Sequence, residues 1–382
     1  GLKRVDTGLY IPLKDGGTLP INFRVEEGAL LPDLSGSSFC GPSGFFQNQG
    51  LDVSFILSNI GAAATPSVPL TYEFIFSADE YLDGSDFSVG SGSAALDLGP
   101  GESATIQESV VGTSIEPGTY YLFSIVDPSD LVNEYDETNN IVQYCSPVEV
   151  KDPLLVGLLA HYPFDGDALD ATGNGHDGTV MGATLGPDRF GNPGMAYSFD
   201  GVDDYIITPT DDFLDQQESG TVALWFNSDH VPGTSGFPEG KLFSYSTFGT
   251  DQSIYGLAIQ DDGRVKVGYK YSDPKSPTLF TVQTVLDGQW HHLAVVANGI
   301  DPLVVYLDGE VAETTFDDKG TTADSSEWFA DLHAVDTENH FGVIGRQVRF
   351  TYKQSEFAGL MDDIRVYDRP LTAAEVAQLA GN

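Results

Sequence analysis

Short apolar–polar alternations, each ended by turn-forming residues, run along almost the whole chain. The sequence contains 43 glycines and 21 prolines, and hardly any stretch repeats its apolar residues with the period of a helix. Alternation with period two is typical of strands that bury one face, and frequent turn residues favour antiparallel connections. A single helix is predicted, at 371–379, where Thr372 and Glu375 have the spacing of a capping box. The chain is therefore predicted to be all-β.

The strand signals form two series, which are separated between Val150 and Pro153. A length of 382 residues suits two or three domains. The first series, within 45–150, has the length and strand number of an immunoglobulin-like β-sandwich. The second series, within 155–382, is long enough for a jelly roll with larger sheets. Residues 1–44 are less regular, and we interpret them as an N-terminal extension or as the tail of a preceding domain.

The charge of the chain is strongly negative. Seventeen Lys and Arg residues stand against 57 Asp and Glu residues, which gives a formal net charge of −40 at pH 7. Nucleic acids and anionic membranes are therefore excluded as partners, because both require clusters of basic residues. No stretch reaches the roughly 18 to 20 apolar residues of a membrane span, so we expect no membrane insertion. The acidic composition and a start at Gly1 without an apolar signal favour an extracellular or cell-surface fragment of a larger protein.

The two cysteines, Cys40 and Cys145, both lie in the first half of the chain. A disulfide between them would tie the start of the first domain to its end and contribute roughly 4 to 5 kcal/mol in the chain-entropy model. Two free buried thiols are the alternative, because the distance between them cannot be read from the sequence. The absence of a CxxC pair and of histidine in this half argues against a metal site there.

The densest polar cluster of the first half lies within 126–140. A strand end, Asp-Pro, an apolar residue, two glutamates and Asn-Asn follow each other here. Together with 51–61 and 74–79, this pattern resembles the signature of CARDB modules, the β-sandwich domains of bacterial and archaeal surface proteins. The cluster can either pin the hairpin before the last strand or bind Ca²⁺ through its oxygen atoms. The residues concerned are Asp127, Asp130, Glu134, Asp136, Glu137, Asn139 and Asn140.

A second resemblance covers the chain from about residue 155 to its end. Its opening motifs lie at 157–166, 170–178 and 197–206, and its closing motifs at 290–296, 306–309 and 359–371. In this order the motifs, which include Trp290-His-His and Asp362-Asp-Ile-Arg-Val-Tyr367, resemble a laminin G-like jelly roll of the concanavalin type. The resemblance implies a two-sheet sandwich that recognises carbohydrate.

The same resemblance implies one structural Ca²⁺ where the first and last strands meet. Its ligands would be Asp165, the turn at Asp200 and Gly201, and Asp362, with backbone carbonyls completing the shell. Asp363 follows Asp362 on a predicted strand, where neighbouring side chains point to opposite faces. We therefore expect Asp362 to reach the ion and Asp363 to point away from it.

Carbohydrate binding requires aromatic rings that stack on sugars, together with polar side chains that bind hydroxyl groups. Four tyrosines lie on strands predicted to line one sheet. The segment 314–340 is too long for a hairpin connection, and such long segments are often functional. The candidate ligand-binding residues are Tyr245, Tyr255, Tyr269, Tyr271, Trp328, Asp336 and Glu338.

Catalytic motifs are missing from the sequence. It contains no Gly-x-Ser-x-Gly elbow, no His-Glu-x-x-His motif and no Glu-x-Asp-x-x-Glu strand of the kind carried by jelly-roll hydrolases. We therefore expect a non-enzymatic adhesion fragment that recognises a glycan or another surface protein. One alternative is a structural repeat of a surface filament or large adhesin, which contacts neighbouring domains or subunits and binds no sugar. A polysaccharide-degrading enzyme is a remote alternative, because two carboxylates about 5 to 9.5 Å apart suffice for hydrolysis.

Overall fold

Strands make up almost all of the regular structure, which confirms the predicted all-β class. The computed structural model divides the chain into two units, Gly1–Pro153 and Leu154–Asn382. The residues that the structure describes are 2–12, 18–26, 30–47, 49–111, 115–209, 213–232, 239–247, 253–269, 277–319, 325–326, 328–333, 340–347 and 355–381.

The first two strands stand apart from the sandwich that follows them. Strands β1 (Leu2–Pro12) and β2 (Thr18–Glu26) pair with each other in antiparallel register and form a two-stranded sheet. Neither strand pairs with any other strand among the described residues. This hairpin occupies most of the region in which the sequence is irregular.

Two packed sheets form the rest of the first unit. One sheet has the order β3-β5-β8, and the other has the order β4-β11-β9-β6-β7, with β10 added to β9. In β5 the apolar residues alternate into the core, as the sequence pattern predicts. The strands are β3 (Leu34–Cys40), β4 (Gly44–Phe46), β5 (Gly50–Asn59), β6 (Leu70–Ser77), β7 (Phe87–Ala94), β8 (Ser103–Val111), β9 (Gly118–Val126), β10 (Ile141–Gln143) and β11 (Val148–Lys151).

The first sandwich begins before residue 45, so the interpretation of 1–44 as a segment outside it is wrong for its last part. Strand β3 pairs with β5 and buries Leu34 and Phe39 in the core. These two residues are five positions apart, which is an odd spacing for one face of a strand. A register shift between Ser37 and Cys40, with a left-handed φ of 52° at Ser38, brings both to the same side. This bulge hides the strand from a search for regular alternation.

Cys40 and Cys145 are bonded to each other, which confirms the predicted disulfide. Cys40 ends β3 of the smaller sheet, and Cys145 follows β10 of the larger one. The backbone N–H of Cys145 also donates to the carbonyl of Phe39 over 2.9 Å. The disulfide therefore joins the two sheets at one edge, and both cysteines are exposed there.

The second unit contains two larger packed sheets. One has the order β14-β15-β27-β17-β22-β23-β24, with β12 added to β27, and the other has the order β13-β16-β26-β18-β19-β20-β21-β25. A short 3-10 helix at Pro153–Leu155 precedes them. The strands are β12 (Leu158–Tyr162), β13 (Thr179–Met181), β14 (Thr184–Pro187), β15 (Pro193–Asp200), β16 (Tyr205–Ile207), β17 (Gly220–Asn227), β18 (Glu239–Thr247), β19 (Ser253–Gln260), β20 (Arg264–Tyr269), β21 (Thr278–Thr284), β22 (Trp290–Ala297), β23 (Val304–Leu307), β24 (Glu310–Val311), β25 (Thr314–Asp317), β26 (His340–Ile344) and β27 (Ala358–Tyr367).

Two helices accompany these strands, α1 (Phe329–His333) and α2 (Ala373–Gly381). The predicted capping box is present at the start of α2, where the Thr372 hydroxyl accepts the N–H of Glu375 and the Glu375 carboxylate accepts the N–H of Thr372. Val376 and Leu379 of α2 pack against residues of β17, β22 and β27 on the outer face of the β27 sheet. The helix therefore covers one part of that face.

Candidate functional site

The aromatic residues predicted to bind sugar lie in the core of the second sandwich. Tyr245, Tyr255 and Trp328 each have 0% exposure. The ring of Tyr255 lies 5.3 Å from Trp328 and 4.8 Å from Phe329, and Gly220 leaves room for the Trp328 indole because it has no side chain. A buried ring cannot stack on a sugar, so the prediction for these three residues is wrong. Part of the segment 314–340 folds back into the sandwich as β25 and α1, and it buries Trp328 and Phe329.

The other predicted ligand-binding residues cannot be placed. Tyr271, Asp336 and Glu338 lie outside the described residues, and for Tyr269 the structure describes the backbone within β20. Their assignment stays a prediction.

Asp362 and Asp363 do not point to opposite faces, contrary to the prediction from strand alternation. Arg189 Nη1 lies 2.5 Å from Asp362 Oδ2, and Arg189 Nη2 lies 3.8 Å from Asp363 Oδ2. The cause is a bulge in β27, where Asp363 has a left-handed φ of 49° and the pairing with β17 shifts register. Both carboxylates therefore face the same guanidinium group on the outer face of the sheet.

These two neighbouring carboxyl groups have opposite pKa shifts. Burial raises the pKa of Asp362 to about 7, and the Asp363 charge adds to this, although Arg189 opposes it. Burial acts on Asp363 as well, but a hydrogen bond with His161 over 2.7 Å and the Arg365 charge outweigh it and hold its pKa well below the ordinary range. The cluster is a network of ion pairs, with Asp362 joined to Arg189.

The four predicted calcium ligands do not form one site. Asp200 pairs with Ala358, which lies four residues before Asp362 on β27, so the two aspartates are about 13 Å apart along the strand. Asp165 is exposed. Asp200 instead forms a group with Asp203 and Asp204, whose ligand atoms all lie within 4.8 Å of one another. The predicted calcium site is therefore wrong in its set of ligands, which were Asp165, Asp200, Gly201 and Asp362.

The turn at 200–204 offers oxygen donors only, which is the chemistry that Ca²⁺ prefers. The Asp204 carboxylate accepts the backbone N–H of Asp200 over 2.9 Å. Burial raises the pKa of Asp204, and the charges of Asp200 and Asp203 add to the shift. Calcium binding itself stays a prediction, and this turn is where the described carboxylates would fit it.

The acidic cluster of the first unit pins its hairpin by hydrogen bonds. Glu134 accepts the N–H of Leu34 at the start of β3 and the side-chain amide of Asn140 over 3.0 Å, and Glu137 accepts the N–H of Glu134 over 2.7 Å. Burial raises the pKa of Glu134 to about 7. The bonds thus tie the segment before β10 to the first strand of the opposite sheet.

The remaining members of the cluster stabilise the same turn. Asp127 accepts the N–H groups of Leu131 and Val132, Asp136 accepts the N–H of Thr138, and Asn139 donates to Asp33 over 2.8 Å. Asp130 is exposed and donates its N–H to the carbonyl of Asp127. In the described part of the chain, three acidic groups come within ligand distance of each other only at 200–204. The hydrogen bonds of these side chains therefore stabilise the hairpin, as the first of the two predicted roles requires.

A row of residues on the outer face of the β27 sheet is left uncovered. Its members are directly opposite one another across β14, β15, β27, β17 and β22. Core residues flank Ser198 on both sides, and one lies next to each of Thr184, Leu360 and Asn227. We call the row of Thr184, Ser198, Leu360, Asn227 and Trp290 the open row. Thr184 is exposed and the other four are half-buried. The open row combines one large ring, two hydroxyl groups and one amide on a flat strand surface.

An exposed phenylalanine lies on the loop between β14 and β15, on the side of the neighbouring residue Trp225. Phe190 is 67% exposed, and the guanidinium of Arg189 lies 4.6 Å from its ring centre and 5.0 Å from that of Trp225. Asp188 holds this loop, because its carboxylate accepts the N–H groups of Phe190 and Asn192. The loop between β14 and β15 thus presents Phe190 in a fixed position.

The parity of residues along β17 and β22 is a sequence signal for the open row. In β22, Leu293, Val295 and Ala297 are buried in the core, so Trp290 has the parity of the opposite face. The same parity places Trp225 outside, between the buried residues Leu224 and Phe226. The prediction chose tyrosines on apparent sheet faces, whereas the tryptophan of the Trp-His-His motif is the ring that lies half-buried on the outer face.

Comparisons with known proteins support both parts of the fold. Residues 31–144 match the family model CARDB, and residues 200–377 match that of the concanavalin A-like lectin/glucanases superfamily. No curated protein matches the chain. In the described part of the chain, neither helix has the length or the apolar composition of a membrane-spanning segment.

Several solved structures are similar at low identity. The binding domain of Paraclostridial Mosquitocidal Protein 1 is 16% identical, with a TM-score of 0.43, over 59% of this chain and 52% of that one. The binding domain of botulinum neurotoxin DC, solved with rat synaptotagmin II, is 10% identical, with a TM-score of 0.41, over 60% and 52%. The chain thus spans about half the length of these toxin domains.

A CARDB domain of Pyrococcus furiosus, solved with di-metal ions, is 21% identical, with a TM-score of 0.23, over 32% of this chain and 90% of that one. At these TM-scores, the likenesses support no argument about function. The two family models match successive parts of the chain. In chain order, the match to the CARDB model comes first and the match to the concanavalin A-like lectin/glucanase model follows it.

Proposed function

We propose that the chain is a non-enzymatic extracellular recognition fragment whose second sandwich binds a glycan through the open row. One observation carries this proposal: Trp290 lies in line with Asn227, Ser198 and Thr184 on a part of the sheet that lies outside the cluster packed against α2. The match of this unit to a superfamily of lectins and glucanases supports a role in carbohydrate recognition.

The chemistry of the open row suits a sugar. The apolar face of a pyranose ring stacks on an aromatic ring, and its hydroxyl groups need donors and acceptors at the edge of that contact. Trp290 and Phe190 supply two rings, of which Phe190 is the more exposed. Ser198, Thr184 and the amide oxygen of Asn227 supply the polar groups, while the Asn227 amide nitrogen is held by the carbonyl of Gly288 over 2.8 Å.

The open row contains no acidic residue. Hydrolysis of a glycosidic bond would need two carboxylates that face the same bond. Asp362, two positions after Leu360 on β27, is buried and paired with Arg189. We therefore propose binding without cleavage at this surface.

A glycan array followed by calorimetric titration of the best ligand tests the proposal. Trp290→Ala and Phe190→Ala should each weaken binding by about 10-fold or more, as loss of an aromatic anchor usually does. Tyr81→Ala is the matched control, because Tyr81 is 74% exposed in the first unit. The proposal would be overturned if no glycan bound the unaltered chain, or if every glycan that bound it bound Trp290→Ala equally well.

An extracellular location belongs to the same proposal. The disulfide between Cys40 and Cys145 is stable in an oxidising compartment. The net charge of −40 keeps the surface solvated and argues against contact with anionic membranes or nucleic acids. Surface proteins and glycans are therefore the partners that we propose.

The alternative function is that of a structural repeat in a filament or a large adhesin. One observation favours it: the β1–β2 hairpin pairs with no other described strand of the chain. An isolated hairpin is marginally stable in water and normally needs a further strand or a packed face. The two functions are compatible, because the hairpin and the open row belong to different units.

A further inference from the structure

Strand β7 forms one edge of the larger sheet in the first sandwich, where it pairs with β6 alone. Its eight residues include no charged residue and no proline, and all are exposed or half-buried. A register shift interrupts the pairing near Val89, so Gly90–Ala94 is the regular run. In the described part of the chain, β6 alone forms hydrogen bonds with the backbone of Phe87–Ser93. The outward N–H and C=O groups of β7 are therefore open to a further strand.

Several other edge strands of the two sandwiches are protected. Natural sheets guard their edges with short strands, charged residues or a cover. In the second unit the edge strands β13, β14, β24 and β25 have two to four residues each. In the first unit β8 carries Glu108, and β3 is capped at Leu34 by Glu134 and at Phe39 by Cys145. The regular run of β7 has none of these protections.

The β1–β2 hairpin is the complementary feature. Both of its outer edges lack a paired strand among the described residues. Its sequence places Leu19, Ile21, Phe23 and Val25 at every second position, which is the pattern of a strand that covers an apolar surface. With 11 and 9 residues, β1 and β2 are long enough to span the run of β7.

Charge distribution identifies the partner. Residues 1–29 contain four basic and four acidic residues, so the whole net charge of −40 lies in the rest of the chain. Two copies therefore repel each other over most of their surfaces. A neutral hairpin that meets an uncharged strand edge is the contact that brings two copies together at the lowest electrostatic cost.

We propose that the β1–β2 hairpin of one copy adds to the β7 edge of a second copy of this chain. Each copy then offers one hairpin and one free strand edge. The contact is therefore heterologous, and it extends from copy to copy head to tail. Main-chain hydrogen bonds provide the affinity, and the serines and glycines of β7 allow a strand to approach closely. The proposal gives the structural-repeat function a specific contact and does not depend on glycan binding.

Sedimentation velocity over a concentration series of the whole chain tests this contact. The unaltered chain should reach at least twice the monomer mass as its concentration rises, more readily in high salt because salt screens the repulsion. Deletion of 1–29 and the double variant Ser91→Lys/Ser93→Lys should both stay monomeric. The matched control, Gln107→Lys/Ser109→Lys on the exposed face of β8, adds the same charge and should associate like the unaltered chain.

Cross-linking identifies the two surfaces directly. A chain with Asn22→Cys, mixed with a chain with Ser91→Cys and treated with a flexible bismaleimide, should give a mixed dimer. A chain with Ser109→Cys in place of Ser91→Cys should give no mixed dimer. Unchanged melting of each variant shows that it is folded. A monomer at all concentrations, association that survives deletion of 1–29, or equal cross-linking at Ser109 would overturn the proposal.

Discussion

The two sandwiches are stabilised in different ways, although each consists of two packed sheets. Among the described residues, the main core cluster of the second unit contains 36 buried residues and that of the first contains 21. Both units have polar links between distant parts of the chain, such as Glu134 to Leu34 in the first and Arg189 to Asp362 in the second. The first unit adds a disulfide that spans 105 positions. A smaller core buries less surface per residue. The comparison therefore teaches that the small sandwich supplements its core with a covalent cross-link, whereas the large one relies on burial and polar contacts.

The largest effect is expected from the core of the second unit. Trp328→Ala removes a fully buried indole that contacts Tyr255 and Phe329, so it should destabilise this unit by about 3 to 5 kcal/mol. Calorimetry should show a lowered transition of the second unit and an unchanged transition of the first. The half-buried Trp290→Ala is the control and should cost much less. Equal losses for both variants would mean that burial does not dominate in this unit.

Removal of the disulfide should affect the first unit alone. Cys40→Ser/Cys145→Ser releases the link between the two sheets and should lower the stability of this unit by about 2 to 4 kcal/mol. Both cysteines are exposed, so the serines meet water and add no buried polar group. Thermal unfolding with and without reductant measures the same effect in the unaltered chain. A loss shared by both transitions would contradict the separation of the two units.

Glu134 tests the polar cross-link of the first unit. Glu134→Ala leaves the Leu34 N–H and the Asn140 amide without their acceptor and should cost about 1 to 3 kcal/mol. Glu134→Gln keeps an acceptor for Leu34 and should cost less.

The pH dependence of this residue has a definite sign. Burial raises the pKa of Glu134 from its ordinary value near 4.5 to about 7, so the folded state holds the proton more tightly than the unfolded state. Its contribution to stability is therefore fully present below about pH 4.5 and is lost as the pH rises to about 7. The free energy of unfolding in urea, measured at several pH values between 4.5 and 7, should change with pH more steeply for the unaltered chain than for Glu134→Gln. Parallel pH profiles would show that Glu134 does not titrate in this range.

Calcium is expected to have the smallest effect, confined to the second unit. Binding at Asp200, Asp203 and Asp204 would stabilise it by about 1 to 2 kcal/mol at calcium concentrations about 10- to 30-fold above the dissociation constant. Asp204→Asn should abolish the shift in melting temperature, and Asp362→Asn should leave it intact because Asp362 pairs with Arg189. An unchanged melting temperature of the unaltered chain in excess calcium would contradict the prediction.

Sequence by itself determined the all-β class, the order of the two domains and the capping box of α2, and it predicted the disulfide that the structure confirms. These features depend on local alternation, on composition and on the small number of cysteines, which residues close in the sequence already express. The motif around Glu134 also pointed to a hairpin-pinning cluster, because its turn-forming side chains act mainly on nearby backbone. Glu134 reaches Leu34 only through the fold, and no local pattern connects the two.

Tertiary structure alone decided which face of each strand is buried and what covers the other face. Alternation shows which residues share a face, but Tyr245 and Trp290 look alike until the opposing sheet and α2 are in place. Bulges reverse the expected parity, as at Ser38 in β3 and Asp363 in β27, because one extra residue shifts all that follow to the other side. The binding surface and the calcium ligands depend on both effects, since contacts between distant segments set them.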